Sequence, residues 1–153
     1  NSMQSFNGLP HRFEIFMRKK GITFVNDSKA TSFTAASLAI SSLKNIFWIL
    51  GGLPKQGDKI EISKFKKNII KSYIIGKHIN FFKKQIKGKI IYSISKDLEN
   101  ALRQIFKDYK YYNIDKCTIL FSPAAASFDQ FDNFEMRGIK FKKLCKVYAR
   151  KFI

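Results

Sequence analysis

Short apolar segments alternate with segments of helical periodicity along most of this chain. Runs rich in β-branched and aromatic residues predict strands, and apolar residues spaced three or four apart predict helices. The predicted strands are residues 12–18, 22–26, 46–50, 72–75, 89–93 and 118–121. The predicted helices are residues 31–43, 63–69, 78–85, 95–107 and 134–152. Strands separated by helices form a mostly parallel sheet, so we expect an α/β, Rossmann-like three-layer domain of about six strands with helices on both faces.

Several local features sharpen this prediction. Residues 19–21, Lys-Lys-Gly, predict a hairpin turn between the first two strands. Ser95 is expected to cap the helix that follows it. Cys117 falls in a predicted strand and Cys145 in a predicted helix. Two cysteines do not make a disulfide framework at this size, and we expect both to be buried thiols.

The length of 153 residues suits one domain, and a hydrophobic fraction of 45% argues for a folded core. Residues 1–5 are interpreted as an artificial start or a linker, and residues 6–153 as the domain. The sequence has no apolar run near the roughly 18 residues that span a membrane, and it begins without a signal-peptide pattern. We therefore expect a monomer in the cytoplasm that has no membrane partner.

The net charge of +18 is typical of nucleic-acid-binding proteins. The basic residues are mostly Lys, however, and they are spread along the whole chain without a dominant cluster. Abundant Ile, Phe and Asn accompany them, which indicates a global compositional bias. We expect no nucleic acid as the main partner, although a non-catalytic basic module that binds nucleic acid remains an alternative.

A first polar motif, Asn-Asp-Ser-Lys-Ala-Thr, occupies residues 26–31, where a strand ends and a helix begins. Asp27 can accept hydrogen bonds from hydroxyl groups, and Lys29 can hold a phosphate or a carboxylate. Thr31 places a hydroxyl near a helix start, where backbone N–H groups favour anions. The alternative interpretation is simple helix capping by Asp27, Ser28 or Thr31.

A second motif, Gly-Gly-Leu-Pro-Lys-Gln-Gly, follows a wholly apolar strand at residues 51–57. Two glycines allow the backbone to approach a ligand closely, and Lys55 follows at a fixed distance. The segment is not a phosphate-binding P-loop, because no Gly-Lys-Ser/Thr closes it. An ordinary glycine turn is the alternative.

The third motif covers residues 122–138 and runs from small residues after a strand into a polar and aromatic helix start. Ser127 and nearby backbone N–H groups are candidates for holding a carboxylate. The alternative is a tight crossover whose small residues serve packing. Ser127 is not expected to be a nucleophile, because its surroundings lack the Gly-x-Ser-x-Gly pattern.

These motifs, together with the opening Gly-Leu-Pro-His-Arg at residues 8–12, occur in an order that closely resembles the C-terminal domain of the Mur ligase family. The resemblance covers residues 6–153, and the third motif resembles the members that add D-glutamate. It implies one domain of a three-domain, cytoplasmic ligase that uses ATP and Mg²⁺. Such ligases phosphorylate the carboxylate of UDP-N-acetylmuramoyl-L-alanine, and the amine of D-glutamate then attacks the acyl phosphate.

The resemblance also implies roles for individual residues. Thr31 and Lys55 would hold the α-carboxylate of D-glutamate, while Ser127 and the backbone N–H of Phe134 would hold its side-chain carboxylate. Three further residues would face the nucleotide and the reaction centre: Arg12, Asp27 and Lys29. Lys29 would be the catalytic cation, and no residue of this chain would bind a metal.

The partners implied are D-glutamate, ATP, UDP-N-acetylmuramoyl-L-alanine and the N-terminal and central domains of the same enzyme. The main ATP-binding elements would lie in the central domain, and this chain contains no P-loop. We therefore expect the chain to be inactive on its own. A domain of a related muramyl or folylpolyglutamate-type ligase remains the nearest alternative.

Overall fold

The structure is a computed structural model, and it describes residues 9–153. The predicted linker at residues 1–5 and the first residues of the predicted domain lie outside this range. The strands are β1 (Glu14–Lys19), β2 (Ile22–Asn26), β3 (Ile46–Leu50), β4 (Ile69–Ile75), β5 (Tyr92–Lys96) and β6 (Cys117–Phe121). The helices are α1 (Phe33–Ser41), α2 (Ile79–Ile86), α3 (Leu98–Tyr112) and α4 (Phe134–Phe152).

The six strands form one sheet in the order β1-β2-β6-β3-β4-β5. Strand β1 pairs with β2 in the antiparallel direction, and every other neighbouring pair is parallel. The hairpin turn predicted between β1 and β2 is present. The prediction of a mostly parallel six-stranded α/β sheet is confirmed.

The sheet is covered on both faces because alternate residues of a strand point to opposite sides. In β3, Phe47 and Ile49 join a core cluster that contains residues of α3 and α4. Trp48 and Leu50 join the cluster on the other face, which contains residues of α1 and α2. All four side chains are fully buried, and each such burial contributes about 1.5–3 kcal/mol. The three-layer arrangement follows from this division.

The predicted helix at residues 63–69 is wrong. Two single 3₁₀ turns, Ile62–Lys64 and Lys66–Asn68, occupy this stretch, and Ile69 already begins β4. The sheet takes Ile69 as a pairing partner for Ile46. The strand predicted at residues 72–75 therefore starts three residues earlier.

Strand β5 and helix α3 both begin later in the chain than predicted. The predicted ranges were residues 89–93 for the strand and 95–107 for the helix. The N–H groups of Lys89 and Ile90 donate to the carbonyl of Ile86, which ties them to the end of α2 and delays β5. Ser95 lies inside β5 and does not cap α3. Asp97 is the cap, and its carboxylate accepts the N–H of Asn100 at 2.8 Å.

The remaining differences are small shifts at element ends. Strand β1 begins two residues later than predicted, and α1 covers residues 33–41 instead of 31–43. Both cysteines are buried free thiols, as expected. Burial raises the pKa of Cys117 to about 12. No helix within residues 9–153 combines the length and apolar character needed to cross a membrane.

Candidate functional site

The three motifs meet at one edge of the sheet. They follow β2, β3 and β6, and these strands are neighbours in the order β2-β6-β3. All three run parallel, so their carboxyl ends lie at the same edge, where ligands bind in open α/β sheets. We call the connections after β2, β3 and β6 the first loop (residues 27–32), the glycine loop (residues 51–58) and the third loop (residues 122–133).

The glycine loop and the third loop are joined through their backbones. Leu53 and Ala126 exchange hydrogen bonds of 2.9 and 2.8 Å, and the N–H of Gly51 donates to Pro123 at 2.9 Å. Gly51 and Gly52 have φ values of +125° and +139°, which favour glycine. A Cβ on Gly51 would lie 2.0 Å from the carbonyl oxygen of Ile75. Close backbone approach, not only turn formation, therefore requires these glycines.

Asp27 is buried and joins the first loop to two other segments. One carboxylate oxygen accepts the N–H of Phe13 at 2.9 Å, and the other accepts the hydroxyl of Ser122 at 2.8 Å. Burial raises the pKa of Asp27, although both hydrogen bonds oppose that shift. Asp27 therefore does accept a hydroxyl, as the sequence indicated. It does not cap α1; Ser32 does, by accepting the N–H of Ala35 at 3.2 Å.

Arg12, Asp27 and Lys29 line a common cavity of about 350 Å³. Its remaining wall is apolar and comes largely from α1, including Leu38, which is 72% exposed. The ammonium group of Lys29 lies 4.2 Å from the centroid of the Phe134 ring, a cation–π contact that joins the first loop to α4. The structure thus brings together the three residues that the family resemblance implies would face a nucleotide; that role stays a prediction.

The four residues predicted to hold D-glutamate occupy different environments at this edge. Thr31 is exposed and lies just before the Ser32 cap, and Lys55 is exposed on the glycine loop. Ser127 is buried, with 2% of its surface exposed. Phe134 is the first residue of α4, which Asn133 caps through the N–H of Met136 at 2.8 Å. All four lie on or beside the three loops, and their roles in binding a ligand stay predictions.

Arg137 is the main residue that the sequence interpretation missed. It is 1% exposed, and its guanidinium donates to the hydroxyl and carbonyl of Ser28 at 3.0 and 2.6 Å and to the carbonyl of Ala125 at 2.9 Å. Its Nη1 atom has no hydrogen-bond partner and lies 3.4 Å from where a Cβ on Gly52 would be. Burial lowers the pKa of Arg137 to about 10, so the group stays charged at neutral pH. One buried cation therefore lies among all three loops.

A second missed group surrounds Asn26. Its amide nitrogen lies 2.9 Å from Nδ1 of His11 and donates to the carboxylate of Glu14 at 3.0 Å. Burial lowers the pKa of His11, so the imidazole is neutral at neutral pH. A Cβ on Gly138 would lie 2.1 Å from that Nδ1 atom. An isolated glycine inside a predicted helix was the sequence signal for this close contact.

Comparison with known proteins identifies the relatives of the chain. It is 42% identical over 145 residues to the UDP-N-acetylmuramoylalanine--D-glutamate ligase of Nitrobacter hamburgensis, covering 95% of this chain and 31% of that protein. The enzyme of the same name from Nitrobacter winogradskyi is 44% identical over the same shares. That of Rickettsia conorii is 39% identical, over 97% of this chain and 30% of the relative. The chain belongs to the Mur ligase family.

The chain spans about a third of the length of the Mur ligases it matches. It corresponds to their C-terminal domain. No family model matches the chain. The remaining two thirds of each relative have no counterpart in these 153 residues.

Proposed function

We propose that the chain is the D-glutamate-binding, C-terminal domain of a cytoplasmic, ATP- and Mg²⁺-dependent ligase that joins D-glutamate to UDP-N-acetylmuramoyl-L-alanine. Relatives bearing the name of this ligase align with nearly the whole chain. The observation that carries the proposal is the convergence of the first, glycine and third loops at one sheet edge. A dicarboxylate needs two anion sites at a fixed separation, and in this proposal the neighbouring loops would supply them.

In this proposal, Thr31 and Lys55 bind the α-carboxylate of D-glutamate, and Ser127 and the N–H of Phe134 bind the side-chain carboxylate. The N–H of Phe134 belongs to the first turn of α4, where backbone donors lack intrahelical partners and favour anions. Hydrogen bonds to a charged group contribute about 1.5–3 kcal/mol each. Losing any one of the four should therefore weaken binding about tenfold or more.

Arg12, Asp27 and Lys29 would face the nucleotide in this proposal. The cavity they line offers two cations for phosphate oxygens and an apolar wall, which fits a nucleotide. Asp27 already accepts hydrogen bonds at both carboxylate oxygens, which makes it a poor metal ligand. Mg²⁺ would therefore be held by the missing domains, where it would neutralise phosphate charge. Lys29 would stabilise charge that develops on the transferred phosphoryl group, without a protein nucleophile.

The proposal can be tested by titrating the isotope-labelled chain with D-glutamate and L-glutamate and following the backbone amides by NMR. We expect a dissociation constant on the order of millimolar, because the other domains are absent, and a preference for the D isomer. Shifts should concentrate at Thr31, Lys55, Ser127 and Phe134.

Lys55→Met should weaken this binding, whereas the matched variant Lys87→Met should not. Both variants remove one exposed Lys and lower the net charge equally, but Lys87 lies at the far end of α2. Equal losses from both variants would mean that D-glutamate is attracted only by the general positive charge. Shifts with L-lysine or meso-diaminopimelate instead of D-glutamate would point to a related ligase, and steeply salt-dependent binding of arbitrary DNA or RNA would point to a nucleic-acid module.

A further inference from the structure

Asp58, at the end of the glycine loop, contacts the start of α1 across the site. One of its carboxylate oxygens accepts the N–H of Phe33 at 2.8 Å. Phe33 is the first residue of α1 and lies two positions after Thr31, while Asp58 lies three positions after Lys55. We propose that Asp58 is a positioning residue that sets the separation between Thr31 and Lys55. This inference rests on the proposed function, in which those two residues bind one carboxylate.

The contact adds an acceptor to the N-terminus of α1 from a distant part of the chain. The first N–H groups of a helix have no intrahelical partner and need other acceptors. Ser32 satisfies the N–H of Ala35 from within the first loop. Asp58 satisfies that of Phe33 from 25 residues away. The helix end that follows Thr31 is therefore tied directly to the glycine loop.

Asp58 is also joined rigidly to Lys55. Its N–H donates to the carbonyl of Lys55 at 3.0 Å and closes a four-residue turn. Gly57 has a φ of +77°, as the third position of a type II turn requires. A displacement of Asp58 would therefore move the backbone of Lys55 with it.

Helix α2 supports this turn on its other side. The side chain of Gln85 donates to the carbonyl of Asp58 at 3.3 Å and accepts the N–H of Ile60 at 3.4 Å. The second carboxylate oxygen of Asp58 accepts the N–H of Lys59 at 3.1 Å. Backbone and side-chain bonds thus hold Asp58 on both sides, and its contact with Phe33 transmits that position to the first loop.

Loss of Asp58 would leave the ammonium group of Lys55 less well positioned for the ligand. Lys55 is exposed, and its backbone position is set by the turn. Without Asp58, the glycine loop would have to be ordered again each time the ligand binds, and ordering flexible groups costs affinity. Asp58 is not among the residues proposed to bind D-glutamate, and its contacts are with Phe33, Lys59 and Gln85, so its role would be indirect.

The test compares Asp58→Ala, Asp58→Asn and the matched control Asp97→Ala in the 153-residue chain. Asn retains an oxygen that can accept the N–H of Phe33. Asp97 also caps a helix, α3, with a hydrogen bond of 2.8 Å, but it follows β5 at the edge of the sheet. Its removal reproduces the loss of a helix cap without altering the contact between the glycine loop and α1.

Two readouts are required. The first is the amide ¹⁵N order parameters of Thr31 and residues 55–59 without ligand, which should fall in Asp58→Ala and stay unchanged in Asp58→Asn and Asp97→Ala. The second is the D-glutamate dissociation constant, which should rise about tenfold in Asp58→Ala and less than about twofold in the other two variants.

The outcomes separate this inference from the proposed function. Unchanged order parameters in Asp58→Ala, or equal affinity losses in Asp58→Ala and Asp97→Ala, would overturn the positioning role and leave D-glutamate binding intact. Equal losses in Asp58→Asn and Asp58→Ala would also overturn it, because the negative charge would then matter more than the hydrogen bond. A wild-type chain that binds no D-glutamate, while the loop loses order in Asp58→Ala, would overturn the proposed function instead.

Discussion

Replacing Arg137 with Met tests whether one buried cation holds the three loops together. Met has a similar length and no polar hydrogens, so the substitution removes the hydrogen bonds while largely filling the space. The carbonyls of Ser28 and Ala125 each lose the donor that Arg137 provides. The hydroxyl of Ser28 keeps a partner, because it still donates to the carbonyl of Phe134 at 2.8 Å.

The expected cost follows from these contacts. Each buried carbonyl left without a donor costs about 1–3 kcal/mol, which gives about 2–6 kcal/mol for the pair. An opposing gain of about 1–3 kcal/mol comes from removing the Nη1 atom that has no partner. Arg137 also forms no ion pair with a carboxylate in the part of the chain that the structure describes. Subtracting the midpoint of the gain from the midpoint of the cost gives an expected net loss of about 2 kcal/mol in the free energy of unfolding.

Urea unfolding at neutral pH, followed by circular dichroism, measures this loss. Arg103→Met is the matched control, because Arg103 is exposed and forms no buried hydrogen bond: it makes an i,i+4 ion pair with Glu99 on α3 and lies 5.9 Å from the centroid of the Tyr148 ring. Its loss should stay within about 1 kcal/mol. Amide hydrogen exchange at Leu53 and Ala126 should also accelerate in Arg137→Met alone. An Arg137→Met variant as stable as Arg103→Met, or more stable than wild type, would refute the reasoning, because desolvation of the charge would then cancel its hydrogen bonds.

Three further predictions concern the fold, its pH dependence and activity. Gly51→Ala should prevent folding or destabilise the folded state severely, because its Cβ would lie 2.0 Å from the carbonyl oxygen of Ile75. Gly88 has open space around it, so Gly88→Ala should lower the free energy of unfolding by only about 1–2 kcal/mol, as measured by chemical unfolding. Burial alone would raise the pKa of Glu14, but its hydrogen bonds, the largest from Lys142, bring it below the ordinary value. Wild type should therefore be more stable than Glu14→Gln above the unfolded pKa of 4.5 and lose this advantage as pH falls; a constant difference across an acid titration would contradict the assignment. The chain alone should release no ADP from ATP in the presence of UDP-N-acetylmuramoyl-L-alanine and D-glutamate, and detectable release above a heat-denatured control would contradict this.

The fold class was predictable because hydrophobic periodicity is local. The apolar run at residues 46–50 is strand β3 at its predicted bounds, and α4 begins and ends where the pattern placed it. The predictions failed where a distant partner decided the local structure. Ile69 joined β4 instead of a helix because the neighbouring strand β3 provides a pairing partner. Ser95 entered β5 because that strand pairs with β4 as far as Lys96.

The candidate site shows the same division. The motifs around Lys29, Lys55 and Ser127 were visible in the sequence because each is a continuous stretch with unusual composition. Arg137 was not recognised, because its partners Ser28 and Ala125 lie 109 and 12 residues away. Nothing in a run of residues distinguishes a buried arginine from an exposed one.

The sequence by itself determined the α/β class, the three polar motifs and the family to which they belong. Only the tertiary structure decided that β6 lies between β2 and β3, which brings the three loops to one edge. It also decided that Asp58 caps the helix that follows Thr31. The physical reason is that periodicity and turn chemistry act between near neighbours, whereas strand order and long-range hydrogen bonds depend on which arrangement buries the whole core.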